Sequence, residues 1–216
     1  MLRYVLAACL LWLPLSARAC NTALILTIDV SNSVDPGEYR VQTDGLADAL
    51  QDADVIEAMV TGSVAVLVVQ WSGFDRQTVS IPWTRITSPL DVQLLSQRAR
   101  AMERAFVLSD TAPAEAVLFS LRQFQDVPDC KRRVIDVSVD GTPNSGSAVR
   151  DARRAAEERG VTINGIAIES MGLSITNFYR GAVITRDGFV MTARTHREYA
   201  DTLRRKLIRE LSQVVG

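Results

Sequence analysis

Four short, almost continuously apolar runs constrain the fold of this chain more than any other feature of its sequence. They are ALILTIDV (23–30), SVAVLVVQW (63–71), RRVIDVSVD (132–140) and VTINGIAI (161–168). This pattern is typical of strands that are buried on both faces, as in a parallel sheet covered by helices on each side. We therefore predict that these runs form the central strands of such a sheet.

The segment TVSIPWTRI (78–86) has a different pattern, because Val79, Ile81 and Trp83 alternate with polar residues and Pro82. Alternation indicates a strand with one exposed face, and proline lacks the backbone N–H that a central strand donates. The segment follows the second apolar run after the short connection SGFDRQ. We predict an antiparallel edge strand that forms a hairpin with that run.

Amphipathic stretches between the apolar runs predict helices. Asp35, Pro36 and Glu38 provide an N-cap, a first-turn proline and a glutamate that reaches back to the cap, for a helix toward Leu50. A second capping box at 195–198 precedes an apolar stripe formed by Tyr199, Leu203, Leu207 and Leu211. Further amphipathic stretches lie near 91–106, 112–125 and 147–159. This alternation predicts one α/β domain with a doubly wound, mostly parallel sheet and helices on both faces.

The N-terminus has the features of a secretory signal peptide. A basic residue is followed by an apolar stretch over residues 4–15 and by an Ala-Arg-Ala sequence that ends at Ala19. A membrane-spanning helix needs about 20 apolar residues, and this stretch is shorter. We predict a signal peptide over residues 1–19, a domain over 20–216, and a periplasmic or secreted protein. Lipid attachment at Cys20 is the alternative.

The charge balance of the mature chain argues against nucleic acid as a partner. Loss of the signal peptide removes two arginines and no acidic residue, so the basic residues fall from 24 to 22 against 25 acidic ones. Nucleic-acid binding requires an excess of basic residues. We also predict no transmembrane segment in the mature chain.

Oxygen-bearing side chains follow the ends of predicted strands. Asp29, Ser31 and Ser33 occupy alternate positions after the first strand, Asp140 ends the third, and Thr111 lies in a loop before a helix. Ligands of open parallel sheets bind beyond the carboxyl ends of the strands, where the strand order reverses. Carboxylates and hydroxyls without nitrogen or thiolate prefer Mg²⁺, with Mn²⁺ or Ca²⁺ as alternatives. These five residues predict an incomplete shell around one ion, completed by water or a partner's carboxylate.

The D-x-S-x-S segment, the loop threonine and the Asp-Gly at a later strand end resemble the metal-ion-dependent adhesion site (MIDAS) of von Willebrand factor type A domains. The order, the spacing and the hairpin edge strand are similar over nearly the whole mature chain. The segment 132–141 is similar to a secreted bacterial branch of that family. The resemblance implies a Rossmann-like fold, a divalent ion at the five oxygen ligands, and a protein partner that offers an Asp or Glu carboxylate. The loop 108–113 departs from the glycine-rich loop of many relatives.

Other functional classes compete with a non-enzymatic binding module. A metal-dependent phosphohydrolase would use Asp29 and Asp140, but neither motif contains an adjacent cation to neutralise a phosphoryl group. A Ser-His-Asp hydrolase would need His196, the single histidine, which we expect at the solvated surface. A metal-stabilised structural protein without an exposed coordination position is the third class. Asp and Ser also cap helices, but Asp35 already provides the cap for the helix that follows.

Two charged features have open interpretations. Asp136 lies inside a buried-type strand, where an unpaired carboxylate is costly. It either faces the metal site with Asp140 or pairs with Arg132 or Arg133. The sequence RRKLIRE (204–210) predicts a solvated basic face on the last helix.

The two cysteines of the mature chain, Cys20 and Cys130, are predicted to form a disulfide. Cys20 lies nine residues before Asp29, and Cys130 lies ten residues before Asp140. If the two aspartates end neighbouring parallel strands at one edge of the sheet, the cysteines meet at the opposite edge. Export supplies the oxidising compartment that the bond requires. Lipid attachment at Cys20 would instead leave Cys130 as a free thiol.

Overall fold

The structure is a computed structural model that describes residues 20–107, 109–169 and 171–212, and the predicted signal peptide lies outside the described residues. Its strands are β1 Thr22–Asp29, β2 Val64–Trp71, β3 Gln77–Arg85, β4 Arg132–Val139, β5 Val161–Ile168 and β6 Val190–Ala193. Its helices are α1 Pro36–Ala49, α2 Ala53–Thr61, α3 Pro89–Arg100, α4 Pro113–Gln123, α5 Val149–Glu158, α6 Ser174–Ala182 and α7 Tyr199–Ser212. None of these helices is long and apolar enough to cross a membrane.

The strands form one sheet in the order β3-β2-β1-β4-β5-β6, with β2 and β3 antiparallel and the other pairs parallel. The chain builds β2 and β3 on one side of β1, and then β4, β5 and β6 on the other. The strand order therefore reverses between β1 and β4, which is where such sheets open a ligand crevice. Asp29 is level with Trp71, and Ile28 with Ser138, so three strands end together. The predicted doubly wound α/β fold with an antiparallel edge strand is confirmed.

Alternate residues of the central strands face two helical layers. Leu24, Leu26 and Ile28 pack with α1, α2, α3 and α7, whereas Ala23 and Ile25 pack with α4, α5 and α6. Both faces of the sheet are covered, which explains why the strand sequences are continuously apolar. The predicted apolar stripe of α7 is buried in the first of these layers.

Helix α3 is shorter than its amphipathic pattern predicts, since it ends at Arg100 rather than near residue 106. The segment beyond it bonds to Gln70 of β2. Gln70 Nε2 donates to Glu103 O at 2.8 Å, and Gln70 Oε1 accepts from Ala105 N at 2.9 Å. These bonds satisfy the backbone groups that a longer helix would have paired internally. The sequence pattern also does not predict α2, α6 and β6, which are nine residues long or shorter.

Asp136 pairs with a lysine of α7, which corrects both expectations for it. Its Oδ2 lies 2.6 Å from Lys206 Nζ, and Lys206 Nζ lies 2.7 Å from Glu210 Oε1. The side chains of all three residues are at most 1% exposed. Lys206 is therefore not part of a solvated basic face, although Arg205 and Arg209 of the same helix are exposed.

Cys20 and Cys130 form a disulfide in the structure, with Cα atoms 4.4 Å apart. They precede the neighbouring parallel strands β1 and β4 and are both buried. Backbone bonds continue the strand pairing up to the bridge, since Lys131 N donates to Cys20 O at 3.1 Å and Arg132 N donates to Asn21 O at 2.9 Å. The bond joins positions 110 residues apart.

We expect the exported protein to contain this disulfide without a free thiol. Reduction should add the mass of two hydrogen atoms in an intact-mass measurement. Cys130→Ser should lower the free energy of unfolding by about 2 to 4 kcal/mol, because the cross-link restricts the unfolded chain. Urea denaturation of the variant and of the reduced wild type checks this value. A native thiol at Cys130, or an acyl group on Cys20, would contradict the prediction.

Candidate metal centre

Asp29 lies at the carboxyl end of β1, and its side chain is completely buried. Its Oδ1 accepts a hydrogen bond from Ser31 N at 2.8 Å. Its Oδ2 is also buried and has no hydrogen-bond partner among the described residues. A buried carboxylate oxygen without a partner is costly. This oxygen therefore fits a site that holds a further group, such as a cation.

Hydroxyl groups connect the neighbourhood of Asp29 to a second carboxylate. Thr111 Oγ1 donates to Ser31 Oγ at 3.0 Å, and the Oγ atoms of Ser31 and Ser33 lie 3.0 Å apart. Ser33 Oγ donates to Asp140 Oδ1 at 2.5 Å. The structure thus brings together all five oxygen residues selected from the sequence, from the loops after β1 and β4 and the loop before α4. Their role as metal ligands stays a prediction.

The loop that contains Thr111 is held by residues that the sequence did not indicate. Thr111 N donates to Asn144 Oδ1 at 2.8 Å, and Asn144 N donates to Thr111 O at 3.1 Å. On the other side, Gly73 lets the β2–β3 hairpin approach this loop, because a Cβ at Gly73 would lie 2.7 Å from Ser109 Oγ. The position of Asn144 soon after Asp140, beyond a strand end, was the available signal for its role.

Among the described residues, Asp29 and Asp140 accept hydrogen bonds from a backbone N–H and a hydroxyl rather than from a cationic side chain. Burial, and secondly the charge of Asp140, raise the pKa of Asp29 from 3.8 to about 7. Burial also raises the pKa of Asp140, against the effect of its hydrogen bond from Ser33. The nearby Arg104 donates through Nη2 to Val30 O and Ser31 O, at 2.9 Å each. A divalent cation beside the two carboxylates would stabilise their ionised forms, so the donor set fits such an ion.

Glu38 and His196 lie at the mouth of this site, a position that no sequence pattern predicted for them. His196 Nδ1 lies 3.2 Å from Glu38 Oε1. The His196 side chain is 17% exposed, so it is partly buried rather than fully solvated as expected. Both residues belong to turns that start helices, Glu38 in the first turn of α1 and His196 just before α7. The α1 cap, Asp35, closes the same loop that carries Ser31 and Ser33 after β1, and this position was the available signal for Glu38.

Comparison with known proteins gives one family and a common fold. The profile of the family described as "Protein of unknown function (DUF1194)" matches residues 19–215 of this chain. A search of curated proteins finds no match to the chain. Structural similarity is found to several solved von Willebrand factor type A domains.

Three of these structures illustrate the range of sequence identity and coverage. Proximal thread matrix protein 1 from the mussel byssus, in a form described as having a zinc-occupied MIDAS motif, is 18% identical with a TM-score of 0.66, over 89% of this chain and 48% of its own. The type A protein from Catenulispora acidiphila is 16% identical, with a TM-score of 0.61, over 88% and 42%. The type A domain of the pilus tip protein Mfa5 from Porphyromonas gingivalis is 9% identical, with a TM-score of 0.63, over 93% and 98%.

These values establish the fold. The chain spans about half the length of the mussel protein and less than half of the Catenulispora protein. The match to the Mfa5 domain covers almost the whole of both chains. The resemblance inferred from the sequence motifs is confirmed at the level of the fold.

Proposed function

This chain belongs to the DUF1194 family and has the fold of von Willebrand factor type A domains, and we propose that it is an exported, metal-dependent protein-binding module. The proposed ligands of one Mg²⁺, with Mn²⁺ or Ca²⁺ as alternatives, are Asp29, Ser31, Ser33, Thr111 and Asp140. When bound, the ion supplies a coordination position for an Asp or Glu carboxylate of a partner protein. The proposal assigns no catalytic step to the chain.

The observation that carries this proposal is the buried, unpartnered Oδ2 of Asp29 beside a connected set of oxygen side chains. Burial falls across the set, from the inaccessible Asp29 and Ser31, through the partly exposed Asp140, to the exposed Ser33. An ion held by this set would face protein on one side and solvent on the other. That asymmetry suits an ion that takes its last ligand from another molecule.

Exposed apolar side chains around the same edge of the sheet support a protein as the partner. Phe74 follows β2 and Met171 follows β5, and they are 62% and 85% exposed. Val107, in the long connection to α4, is 59% exposed. Protein interfaces bury apolar side chains of this kind around a few polar contacts. A carboxylate flanked by apolar residues is therefore the partner chemistry that we propose.

The proposed location is the periplasm or the extracellular space. The signal peptide predicted over residues 1–19 supports export. The disulfide between Cys20 and Cys130 supports an oxidising compartment. The solved structures that share the fold include pilus and byssus proteins, and this likeness is compatible with export.

A metal-dependent hydrolase is the second candidate function. The observation that favours it is that the fold brings Arg104 and His196 near the two carboxylates, although the carboxylate motifs themselves contain no cation. Such groups can neutralise developing charge or transfer a proton. The third candidate, a metal-stabilised structural protein, requires no partner and no turnover.

A pull-down from periplasmic extract with Mg²⁺ and then with EDTA tests the proposal, with Thr111→Ala as the diagnostic variant. We expect one protein to be retained with Mg²⁺ and released by EDTA, and Thr111→Ala to weaken its binding by about 10-fold or more through the metal shell. Stability should fall by only about 1 kcal/mol, because one hydroxyl hydrogen bond to Ser31 is lost.

Thr142→Ala is the matched control, because it removes an exposed threonine hydroxyl from the loop after Asp140. It should leave partner binding unchanged. Retention that is insensitive to EDTA would mean that the partner docks elsewhere. Metal-dependent phosphatase turnover without a retained partner would favour the hydrolase.

A further inference from the structure

We propose that Glu38, Asp140 and His196 form a second metal site, selective for Zn²⁺ and similar transition ions, beside the oxygen-only site. Asp140 would belong to both sites. The inference goes beyond the proposed function, because it concerns a different class of ion and is tested without any partner protein. It rests on the geometry and chemistry of three side chains from separate parts of the chain.

The spacing of the three residues suits one ion. One ligand atom from each of Glu38, Asp140 and His196 lies within 4.8 Å of the other two. His196 Nδ1 and Glu38 Oε1 are already 3.2 Å apart. Two ligands of a tetrahedral ion bound at about 2.0 to 2.2 Å lie roughly 3.3 Å from each other. Small side-chain rotations of the third residue, Asp140, would complete the arrangement.

Each of the three residues is anchored in a way that leaves a ligand atom available. Glu38 Oε2 accepts from Asp35 N at 2.8 Å in the capping box of α1, so its other oxygen points to His196. Asp140 Oδ1 accepts from Ser33 Oγ, which leaves Oδ2 for another partner. Thr195 caps the turn that contains His196 through a bond from Glu198 N at 3.3 Å. The backbone positions of the site are therefore set before any ion binds.

The imidazole of His196 offers one of its two nitrogens to the carboxylates. Its Nε2 is buried and has no hydrogen-bond partner in the described part of the chain. The other nitrogen, Nδ1, contacts Glu38. Nε2 lies on the opposite side of the ring, so Nδ1 is the nitrogen that can bind an ion together with Glu38 and Asp140.

The donor set determines the class of ion. Imidazole nitrogen suits Zn²⁺, Ni²⁺ and Cu²⁺, whereas Mg²⁺ and Ca²⁺ prefer oxygen ligands. One histidine and two carboxylates leave a fourth position for water or an external ligand. That position opens into a cleft of about 350 Å³, which is also lined by Glu169 and Met171. The two adjacent sites would thus differ in the ion that each prefers.

The single histidine of the chain makes the test direct, because one set of imidazole signals in an NMR spectrum reports on this site. The protein is prepared without a polyhistidine tag and titrated with Zn²⁺ in the presence of saturating Mg²⁺. We expect Zn²⁺ to shift the imidazole signals, with saturation at one equivalent. Mg²⁺ alone should not produce the signal shifts that direct coordination of the imidazole causes. His196→Ala should lower the Zn²⁺ affinity measured by calorimetry by about 100-fold or more.

Two variants separate this site from the oxygen-only site. Asp29→Ala should keep the Zn²⁺-induced shift of His196, since Asp29 is not one of the three ligands. Arg197→Ala, an exposed neighbour of His196, is the matched control and should bind Zn²⁺ normally. Imidazole signals that ignore Zn²⁺, or a shift that disappears in Asp29→Ala, would overturn the proposal.

Discussion

Asp29→Ala is expected to abolish measurable Mg²⁺ and Mn²⁺ binding, with a loss of affinity of more than about 100-fold. The variant removes the carboxylate that is completely buried at the end of β1 and whose Oδ2 lacks a partner among the described residues. Isothermal titration calorimetry with each ion measures the loss. Wild-type protein should also gain about 2.7 kcal/mol of stability when Mg²⁺ is present at 100 times its dissociation constant, and the variant should gain none.

The same variant should change how the metal-free protein responds to pH. The pKa of Asp29 is about 7 in the folded protein and 3.8 in the unfolded chain. A carboxyl whose pKa is raised by folding contributes stability below the unfolded pKa, and this contribution is lost as the pH rises toward the folded pKa. The loss between about pH 4 and pH 7 amounts to roughly 4 kcal/mol. Asp29→Ala should lack this part of the decline in a series of urea denaturation curves.

Asp110→Ala is the control for Asp29→Ala, because Asp110 is an exposed carboxylate next to Thr111. It changes the net charge by the same amount without removing a proposed ligand, and it should bind Mg²⁺ with nearly wild-type affinity. Unchanged Mg²⁺ and Mn²⁺ affinity in Asp29→Ala would refute the adhesion-site interpretation.

Lys206→Met is expected to lower the free energy of unfolding by about 3 to 5 kcal/mol, because it leaves buried carboxylates without their cation. Lys206 Nζ lies 2.6 Å from Asp136 and 2.7 Å from Glu210, and all three are inaccessible. Glu210 keeps a bond from Asn164 Nδ2 at 2.5 Å, so the loss falls mainly on Asp136. Methionine preserves most of the packing volume. Urea denaturation at constant pH measures the effect.

The deficit of Lys206→Met should depend on pH and on Asp136. Burial outweighs the attraction of Lys206 and raises the pKa of Asp136 to about 7. Removing the lysine raises this pKa further, so protonation relieves the variant, and its deficit should shrink as the pH falls from 8 to about 5. Adding Asp136→Asn should restore part of the stability. Arg205→Met changes an exposed residue on the same helix and should cost less than about 0.5 kcal/mol.

A deficit in Lys206→Met as small as that of Arg205→Met would show that the buried charges are not stabilised by the lysine. A deficit that is equal at pH 5 and pH 8 would show that Asp136 is not the carboxylate left without its partner. The loss of stability in Arg205→Met is the reference for these comparisons, because it measures the effect of removing an exposed cation from helix α7.

Features that depend on local sequence and on strand ends were predictable. Buried strands have continuous apolar runs, so the central sheet and its edge hairpin followed from periodicity. Asp29, Ser31 and Asp140 were found because strand ends converge at one edge of a parallel sheet. Counting back from the same ends identified the Cys20–Cys130 pair, because equal numbers of residues along neighbouring parallel strands span equal lengths and reach the same level of the sheet.

Contacts between helices and the sheet were decided only by the tertiary structure. Asp136 meets Lys206 across 70 residues, and Glu38 meets His196 across more than 150, because α7 packs beside α1 and over β4. The rotation and axial position of a packed helix depend on how all side chains of the layer fit together, and no local pattern encodes them. The sequence by itself therefore determined strands β1 to β5 and the oxygen residues at the edge of the sheet, whereas helix packing decided which charged side chains surround them.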